Sequence, residues 1–194
     1  IRSDNVAHKF NPDHKEKLDT KQRRRTLPPT KILEKFNLEA SDIAADVGCG
    51  IGYFTIPMAK IVNERVYAFD LSQEMLDEVA IKKEEEELDH IKLINTVQEE
   101  DYMPDKKIDF MLMSNLIHEV EDKKEFLTSY LQGIKSGGRL AIIDFKKQDS
   151  KDGPPITEKV SKAELYKLLE DELGLKLQLV TDLNEQQYGI VAKK

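Results

Sequence analysis

Asp46, Gly48, Cys49, Gly50 and Gly52 crowd into one short stretch, Asp46-Val47-Gly48-Cys49-Gly50-Ile51-Gly52-Tyr53-Phe54. The apolar run at 43–47 reads as a buried strand, and 54–62 reads as the start of a helix. Glycine reaches φ > 0 at little cost and has no side chain. A glycine-dense strand-to-helix turn therefore lets a ligand lie against backbone N–H groups. The chemistry implied is the binding of a nucleotide-like molecule. Asp70 follows 24 residues after Asp46, at the end of a β-rich run at 65–70.

The other reactive side chains are more scattered. Cys49 is the single cysteine, which excludes an internal disulfide and a multi-cysteine metal site and fits a reducing cytosol. Inside a glycine turn it reads as a small space-filling residue. His8, His14 and His118 show no metal-ligand spacing, so no metal is expected. His118 lies in Ser114-Asn115-Leu116-Ile117-His118-Glu119, directly behind the apolar run 108–113. An imidazole there is a candidate general base, and its plainer reading is a structural or substrate-lining histidine. Arg23-Arg24-Arg25, near Lys15, Lys17 and Lys21, is the one basic cluster in a chain of net charge -7. It also reads simply as a solvated helix face beside acidic neighbours. The acidic balance makes nucleic acid and anionic membrane poor default partners. No stretch approaches the ~18 apolar residues of a membrane span, and residues 1–10 lack a signal-peptide pattern, so a cytoplasmic location is expected.

The elements that must position these groups alternate. Strand patterns fall at 43–47, 65–70, 91–95, 108–113, 140–145, 175–181 and 188–192. Helical patterns fall between them, at 54–62, from Ser72 to the charged run 82–87, at 122–135 with a stop at Gly137-Gly138, and at 161–172. The last two strands have only a polar linker between them and make an antiparallel hairpin. The fold expected is α/β, a doubly wound, mostly parallel seven-stranded sheet. Residues 1–37 stand outside this alternation. They read as a helical cap, with 30–36 packed on the sheet and 8–25 over its carboxyl edge, and the domain proper spans 38–194. Ligands bind at that carboxyl edge in such folds.

A dinucleotide site asks for G-x-G-x-x-G. Here the spacing is G-x-G-x-G, with Tyr53 following Gly52. The stretch 46–54 instead resembles the first motif of the class I S-adenosylmethionine-dependent methyltransferases, which have a Rossmann-like sheet. Asp70 matches the family's ribose carboxylate. Gln98-Glu99-Glu100-Asp101, followed by Met103-Pro104, resembles the acidic adenine-binding segment. Residues 109–119 resemble the fourth strand and its loop, and Gly137-Gly138-Arg139-Leu140 resembles the turn into the fifth. The resemblance covers about 38–192. It implies that Gly48, Cys49, Gly50 and Gly52 cradle the methionine part and that Asp46 meets the methionine ammonium. Asp70 takes the ribose, Leu71 and Met75 pack on the adenine, and Glu99 and Glu100 flank its edge. Asn115 and Leu116 supply backbone contacts under the sulfonium. Met75 reads equally well as core.

Methyl transfer from a sulfonium is an in-line displacement in which positioning dominates. His118 is the candidate base. His8, Phe10 and Tyr53 are candidate substrate-lining residues, with His14 beside them. The segment 114–117 is not the [D/N/S]-P-P-[Y/F] motif used on amide or base amino nitrogens. The acceptor expected is a small molecule such as a quinone precursor, a thiol or another metabolite. Three alternatives stay open: a nicotinamide-dependent oxidoreductase, a non-catalytic S-adenosylmethionine-binding domain, and an RNA methyltransferase acting through Arg23 to Arg25. Nothing in the sequence speaks to oligomeric state.

Overall fold

The computed structural model describes residues 18–99, 103–105, 107–150 and 153–194. In chain order its elements are α1 (Lys21–Thr26), α2 (Pro29–Lys35), β1 (Ala44–Val47), α3 (Thr55–Ile61), β2 (Val66–Asp70), α4 (Gln73–Glu85), β3 (Ile91–Asn95), β4 (Ile108–Ser114), α5 (Lys123–Leu131), β5 (Ile134–Phe145), α6 (Lys162–Lys167), β6 (Lys176–Asp182) and β7 (Gln187–Lys193). The strands form one seven-stranded sheet in the order β3-β2-β1-β4-β5-β7-β6. β1 to β5 run parallel, and β7 is antiparallel to both β5 and β6. The strand order reverses at β1, where successive crossovers leave for opposite faces. In open α/β sheets ligands bind outside the carboxyl ends of the strands at such a switch point. Val47, Asp70, Asn95 and Ser114 all end strands on that edge.

Both faces of the sheet are covered, and side chains alternate between them. Ala44, Ala68, Phe110, Leu112, Ala141 and Ile143 pack on one side with Ile32 and Leu33 of α2, Ile56 and Met58 of α3, and Leu76 and Val79 of α4. Ala45, Phe69, Met111, Met113, Leu140 and Ile142 pack on the other with Phe126, Leu127 and Tyr130 of α5 and Leu165 of α6. Continuous apolar strands such as 108–113 follow from this double burial. α2 starts with Pro29 in its first turn, where the missing N–H costs nothing. Its last contact is Phe36 against β7. A Cβ at Gly189 would lie 2.5 Å from the Phe36 ring, so only glycine lets the two approach.

Two local boundaries differ from the sequence pattern. The helix expected at 122–135 ends at Leu131, and β5 begins at Ile134, ahead of Gly137-Gly138 rather than after it. The two glycines sit inside the strand as an irregularity. Ile108 pairs with Ile134 and Phe110 with Arg139, so β5 carries extra residues here. Gly137 has φ +81°, and a Cβ on Gly138 would lie 2.9 Å from the Ile108 carbonyl oxygen. Glycine marks a helix stop in sequence but serves equally at a bulge. The helix at 161–172 begins as expected on a Ser161/Glu164 capping box, then widens to a π-helical turn over Leu168–Glu172.

Candidate active site

The glycine turn after β1 is built by hydrogen bonds to the end of β2. The Gly48 and Cys49 N–H groups both donate to the Phe69 carbonyl, at 2.8 and 3.0 Å. The Gly50 N–H donates to Asp70 Oδ2 at 2.8 Å, and the Gly52 N–H to the Cys49 carbonyl at 3.0 Å. This corrects the idea that these N–H groups face a ligand. They are spent inside the protein, because the parallel β1–β2 pair continues its ladder into the turn. What the turn offers is room. Gly48, Gly50 and Gly52 have φ of 69°, 51° and 81°. A Cβ at Gly48 would lie 3.1 Å from Leu116, and one at Gly52 would lie 3.2 Å from Val79. Cys49 is buried, with burial foremost in pushing its thiol well up, so it is an inert filler.

Two carboxylates flank the turn. Asp46 is buried on β1, and its Oδ2 accepts a 2.6 Å hydrogen bond from Thr55 Oγ1. Burial pushes its carboxyl up to about 6, against the Thr55 hydrogen bond, with the Asp70 charge adding to the rise. Asp70 accepts from Gly50 N–H on one oxygen and from Ser72 N–H, at 2.9 Å, on the other. It thus joins the turn to the N-terminus of α4. Burial raises its pKa, and hydrogen bonds from Ser72, Gly50 and Leu71 oppose the rise. Leu71 is half-buried beside it. Met75 is buried but lies outside both packed clusters. Beyond β3, Glu99 is exposed and its N–H donates to the Asn95 carbonyl at 3.1 Å. Glu100 lies outside the described residues.

The sequence reading missed Asn95, which shapes this side. Its Oδ1 accepts from the Val97 and Gln98 N–H groups, at 3.0 and 3.2 Å, and its Nδ2 donates to Gln73 at 3.1 Å. A buried asparagine ending an apolar strand was the available signal.

The loop after β4 is held from two directions. Asn115 has φ 54°, and its Oδ1 accepts from Gln187 Nε2 at 2.7 Å. Leu116 seats on Gly48. His118 is buried, and its Nδ1 is 2.7 Å from Asp144 Oδ1. The other oxygen of Asp144 accepts the His118 backbone N–H at 3.0 Å. His118 Nε2 points toward Glu119, with 3.8 Å to Oε1. Burial works to lower the imidazole pKa, but Asp144, first through its hydrogen bond, then Glu119 and Glu158 outweigh it and hold the value above the ordinary one. Asp144, fully buried at the end of β5, was also missed; the signal was an acid closing the apolar run 140–144.

The residues before β1 reach the same edge. Tyr53 is buried, and its hydroxyl donates to the Leu27 carbonyl at 2.8 Å. The Arg23 guanidinium covers its ring at 4.2 Å. Arg24 makes a two-pronged contact to Asp19, at 2.6 and 2.5 Å. Two of the three arginines are thereby engaged within the protein. His8, Phe10 and His14 lie outside the described residues. Among the described residues no group of three or more His, Cys, Asp or Glu side chains is placed to hold a metal ion, and no helix is long and apolar enough to cross a membrane.

These residues fit a sulfonium nucleoside carrying an amino-acid end. Glycines clear space beside the turn, Asp70 presents a carboxylate at the end of β2, and Asp46 carries a buried acceptor suited to an ammonium. Among the described residues Ser114 Oγ is the one buried side-chain polar atom with no hydrogen-bond partner. It lies on the same sheet face as Asp46, since Leu112 pairs with Asp46 two residues earlier.

Residues 45–142 match the family model described as a methyltransferase domain. A solved S-adenosylmethionine-dependent methyltransferase from Aquifex aeolicus is 30% identical, with a TM-score of 0.86, over 95% of this chain and 98% of that one. A demethylmenaquinone methyltransferase from Geobacillus sp. (strain WCH70) is 27% identical over 114 residues, 58% of this chain and 49% of its own. A ubiquinone/menaquinone biosynthesis C-methyltransferase of Escherichia coli is 27% identical over 175 residues, 84% of this chain and 64% of its own. The chain thus spans about half the length of the first of these curated relatives and under two thirds of the second.

The His118–Asp144 pair carries a pH signature. A histidine whose folded pKa is raised contributes stability that is fully present below its unfolded value, 6.5, and is lost as pH rises through the folded value. Asp144→Asn is expected to destabilise the fold by about 2–4 kcal/mol at pH 6 and by less at pH 9, measured by urea denaturation. A gap that stays constant from pH 6 to 9 leaves Asp144 as a backbone anchor only.

Proposed function

We propose a reaction for this chain from one premise: it belongs to the class I S-adenosylmethionine-dependent methyltransferases. It transfers a methyl group to a small-molecule acceptor. S-adenosylmethionine, the cofactor of this family, supplies an activated methyl group on a sulfonium. The observation that carries the reading is the placement of Asp46 and Asp70 at the carboxyl ends of adjacent parallel strands, on either side of a turn cleared by glycine.

The chain's own residues divide the work. Asp70 presents carboxylate oxygens, fixed by Gly50 and Ser72, for the ribose hydroxyls. Asp46, oriented by Thr55, accepts from the ammonium. Leu71 and Met75 face the adenine, with Glu99 and Glu100 at its edge. Asn115 and Leu116 set the floor near the sulfonium. Gly48, Cys49, Gly50 and Gly52 keep the methionine part close to the sheet. His118 takes a proton from the acceptor on Nε2, while Asp144 holds Nδ1 and stabilises the imidazolium that forms. Tyr53, with its hydroxyl committed to Leu27, lines the pocket as a wall. His8 and Phe10 are read as acceptor-lining residues on sequence grounds.

The relatives' names point to quinone rings, so reduced naphthoquinols and benzoquinols head the acceptor panel, followed by thiols. A cytoplasmic setting is part of this reading, supported by the free, buried Cys49. The nicotinamide reading finds no support in the comparisons, and an RNA acceptor is disfavoured by the engagement of Arg23 and Arg24.

Calorimetry tests the premise. S-adenosylmethionine is expected to bind with micromolar affinity, weakened about 10- to 100-fold by Asp70→Asn, because charge-assisted hydrogen bonds to the ribose are lost. A chain indifferent to the cofactor ends the proposal.

Affinity is also expected to depend on pH. Binding an ammonium requires ionised Asp46, whose pKa lies at about 6, so affinity holds above that value and falls as pH drops through it. The limiting slope is about tenfold per pH unit. A flat titration between pH 5 and 8 removes Asp46 from the ammonium site.

For catalysis, His118→Gln is expected to lower kcat by about 10²- to 10⁴-fold with cofactor affinity within about twofold. The wild-type rate should rise with pH as the imidazole loses its proton. An unchanged kcat assigns His118 to structure alone.

A further inference from the structure

Three side-chain amides run in series from α1 to the loop behind β4, and the backbone fixes which way round each one sits. Asn184 comes first. Its Oδ1 accepts from the Gln186 and Gln187 N–H groups, both at 2.8 Å. A backbone N–H can only donate, so the other end of this amide is the nitrogen. That Nδ2 donates to the Thr26 carbonyl and to Gln187 Oε1, each at 3.0 Å. Gln187 therefore turns its nitrogen toward Asn115, where Nε2 donates to Oδ1 at 2.7 Å. Asn115 is left with Nδ2, a donor with no hydrogen-bond partner among the described residues.

The place of that nitrogen gives it a use. Asn115 is half-buried and directly follows β4, at the sheet edge that carries the site. Its backbone is held in left-handed form, with its N–H bonded to the Ile143 carbonyl at 2.7 Å. His118 lies three residues on in the same loop. Phe145 is half-buried, pairs across the sheet with Gln187, and meets the His118 ring edge-on with 5.5 Å between centroids. The candidate base and the amide series thus converge on one aromatic side chain.

We propose that Asn115 Nδ2 donates a hydrogen bond to an oxygen of the methyl acceptor, and that Gln187 and Asn184 are positioning residues that keep the amide in that sense. The assignment deepens the methyltransferase reading above and rests on it. It makes this point of the site selective for oxygen. A phenolic or carbonyl oxygen accepts well, an aromatic amino group mainly donates, and sulfur is a weak acceptor. An amide free to turn over could serve either a donor or an acceptor. The series removes that freedom. Each member's sense follows from the one before, so the choice is made at two backbone N–H groups in the turn between β6 and β7.

The test is calorimetry on the chain saturated with S-adenosylhomocysteine, the demethylated cofactor, with 1-naphthol and 1-naphthylamine as probes of one shape. The wild-type chain is expected to prefer 1-naphthol by about 3- to 10-fold, the worth of one neutral hydrogen bond. Gln187→Glu puts an acceptor-only group in the middle of the series. Its two oxygens take Nδ2 of Asn184 and Nδ2 of Asn115, so the Asn115 amide turns over and shows Oδ1 to the probe. The preference should then pass to 1-naphthylamine, with S-adenosylhomocysteine affinity unchanged. A Gln187 that served structure alone would weaken both probes alike. That result overturns the assignment, as does a retained preference for 1-naphthol. If Gln187→Glu does not fold, Gln187→Met, which bonds neither amide, should abolish the preference. The wild-type comparison also decides by itself: equal affinity for the two probes, or none for either, overturns the assignment alone. A wild-type chain that binds no S-adenosylhomocysteine overturns the methyltransferase premise and the assignment with it.

Discussion

The site hangs on the way the turn after β1 is tied to the end of β2. Three successive N–H groups, from Gly48, Cys49 and Gly50, donate to the Phe69 carbonyl and the Asp70 carboxylate. These bonds force the chain to leave β1 through left-handed backbone, which is why glycines occupy 48, 50 and 52. They also aim Asp70, since its second oxygen is held by the start of α4. One small network thus sets the shape of the turn, the direction of the Asp70 carboxylate and the docking of the following helix. Its consequence is that these three N–H groups are committed within the protein, and the turn leaves space flanked by the Asp46 and Asp70 carboxylates.

A second network repeats this logic on the other side of the crevice. Asp144, next to last in β5, holds both the backbone and the ring of His118. Asn115, in left-handed backbone, is held by Gln187, which in turn accepts from Asn184 at 3.0 Å, and Asn184 donates to the Thr26 carbonyl at 3.0 Å. The loop behind β4 is therefore linked through β7 to α1. Tyr53 links the glycine turn to the same helix by donating to Leu27. The segment before β1 is fastened at both ends of the site. That fastening explains how Arg23, far from the glycine motif in the periodic pattern, comes to sit on it.

Much of this was legible in advance. The apolar runs at 43–47 and 108–113 announced buried parallel strands because both of their faces meet helices. The spacing from Asp46 to Asp70 announced a carboxylate at the next strand end. Other features were misread for definable reasons. Gly137-Gly138 looks like a helix stop because glycine ends helices, but here it opens a bulge inside β5. Asp144, Asn95 and Gln187 are single polar residues at strand ends, and their type alone does not say whether they meet water or a buried partner. Arg23 was read as part of a solvated basic run, because adjacency in sequence hides that Arg24 turns to Asp19 while Arg23 turns to Tyr53.

What the sequence determined by itself is local or periodic. Strand and helix alternation, the glycine turn, the capping of α6 and the carboxylates one strand apart all depend on residue type and on spacing within one βα unit. What only the tertiary structure decided is which distant side chains share a desolvated volume. His118 meets Asp144 across 26 residues, Asn115 meets Gln187 across 72, and Tyr53 meets Leu27 across 26. Such contacts follow from strand order, in which β4 and β5 lie side by side and β7 returns antiparallel. No pattern within a window of a few residues encodes that order. The donor site is therefore written largely in the chain's own motifs, and the histidine–aspartate pair and the stacking of Arg23 on Tyr53 exist only once the sheet has assembled.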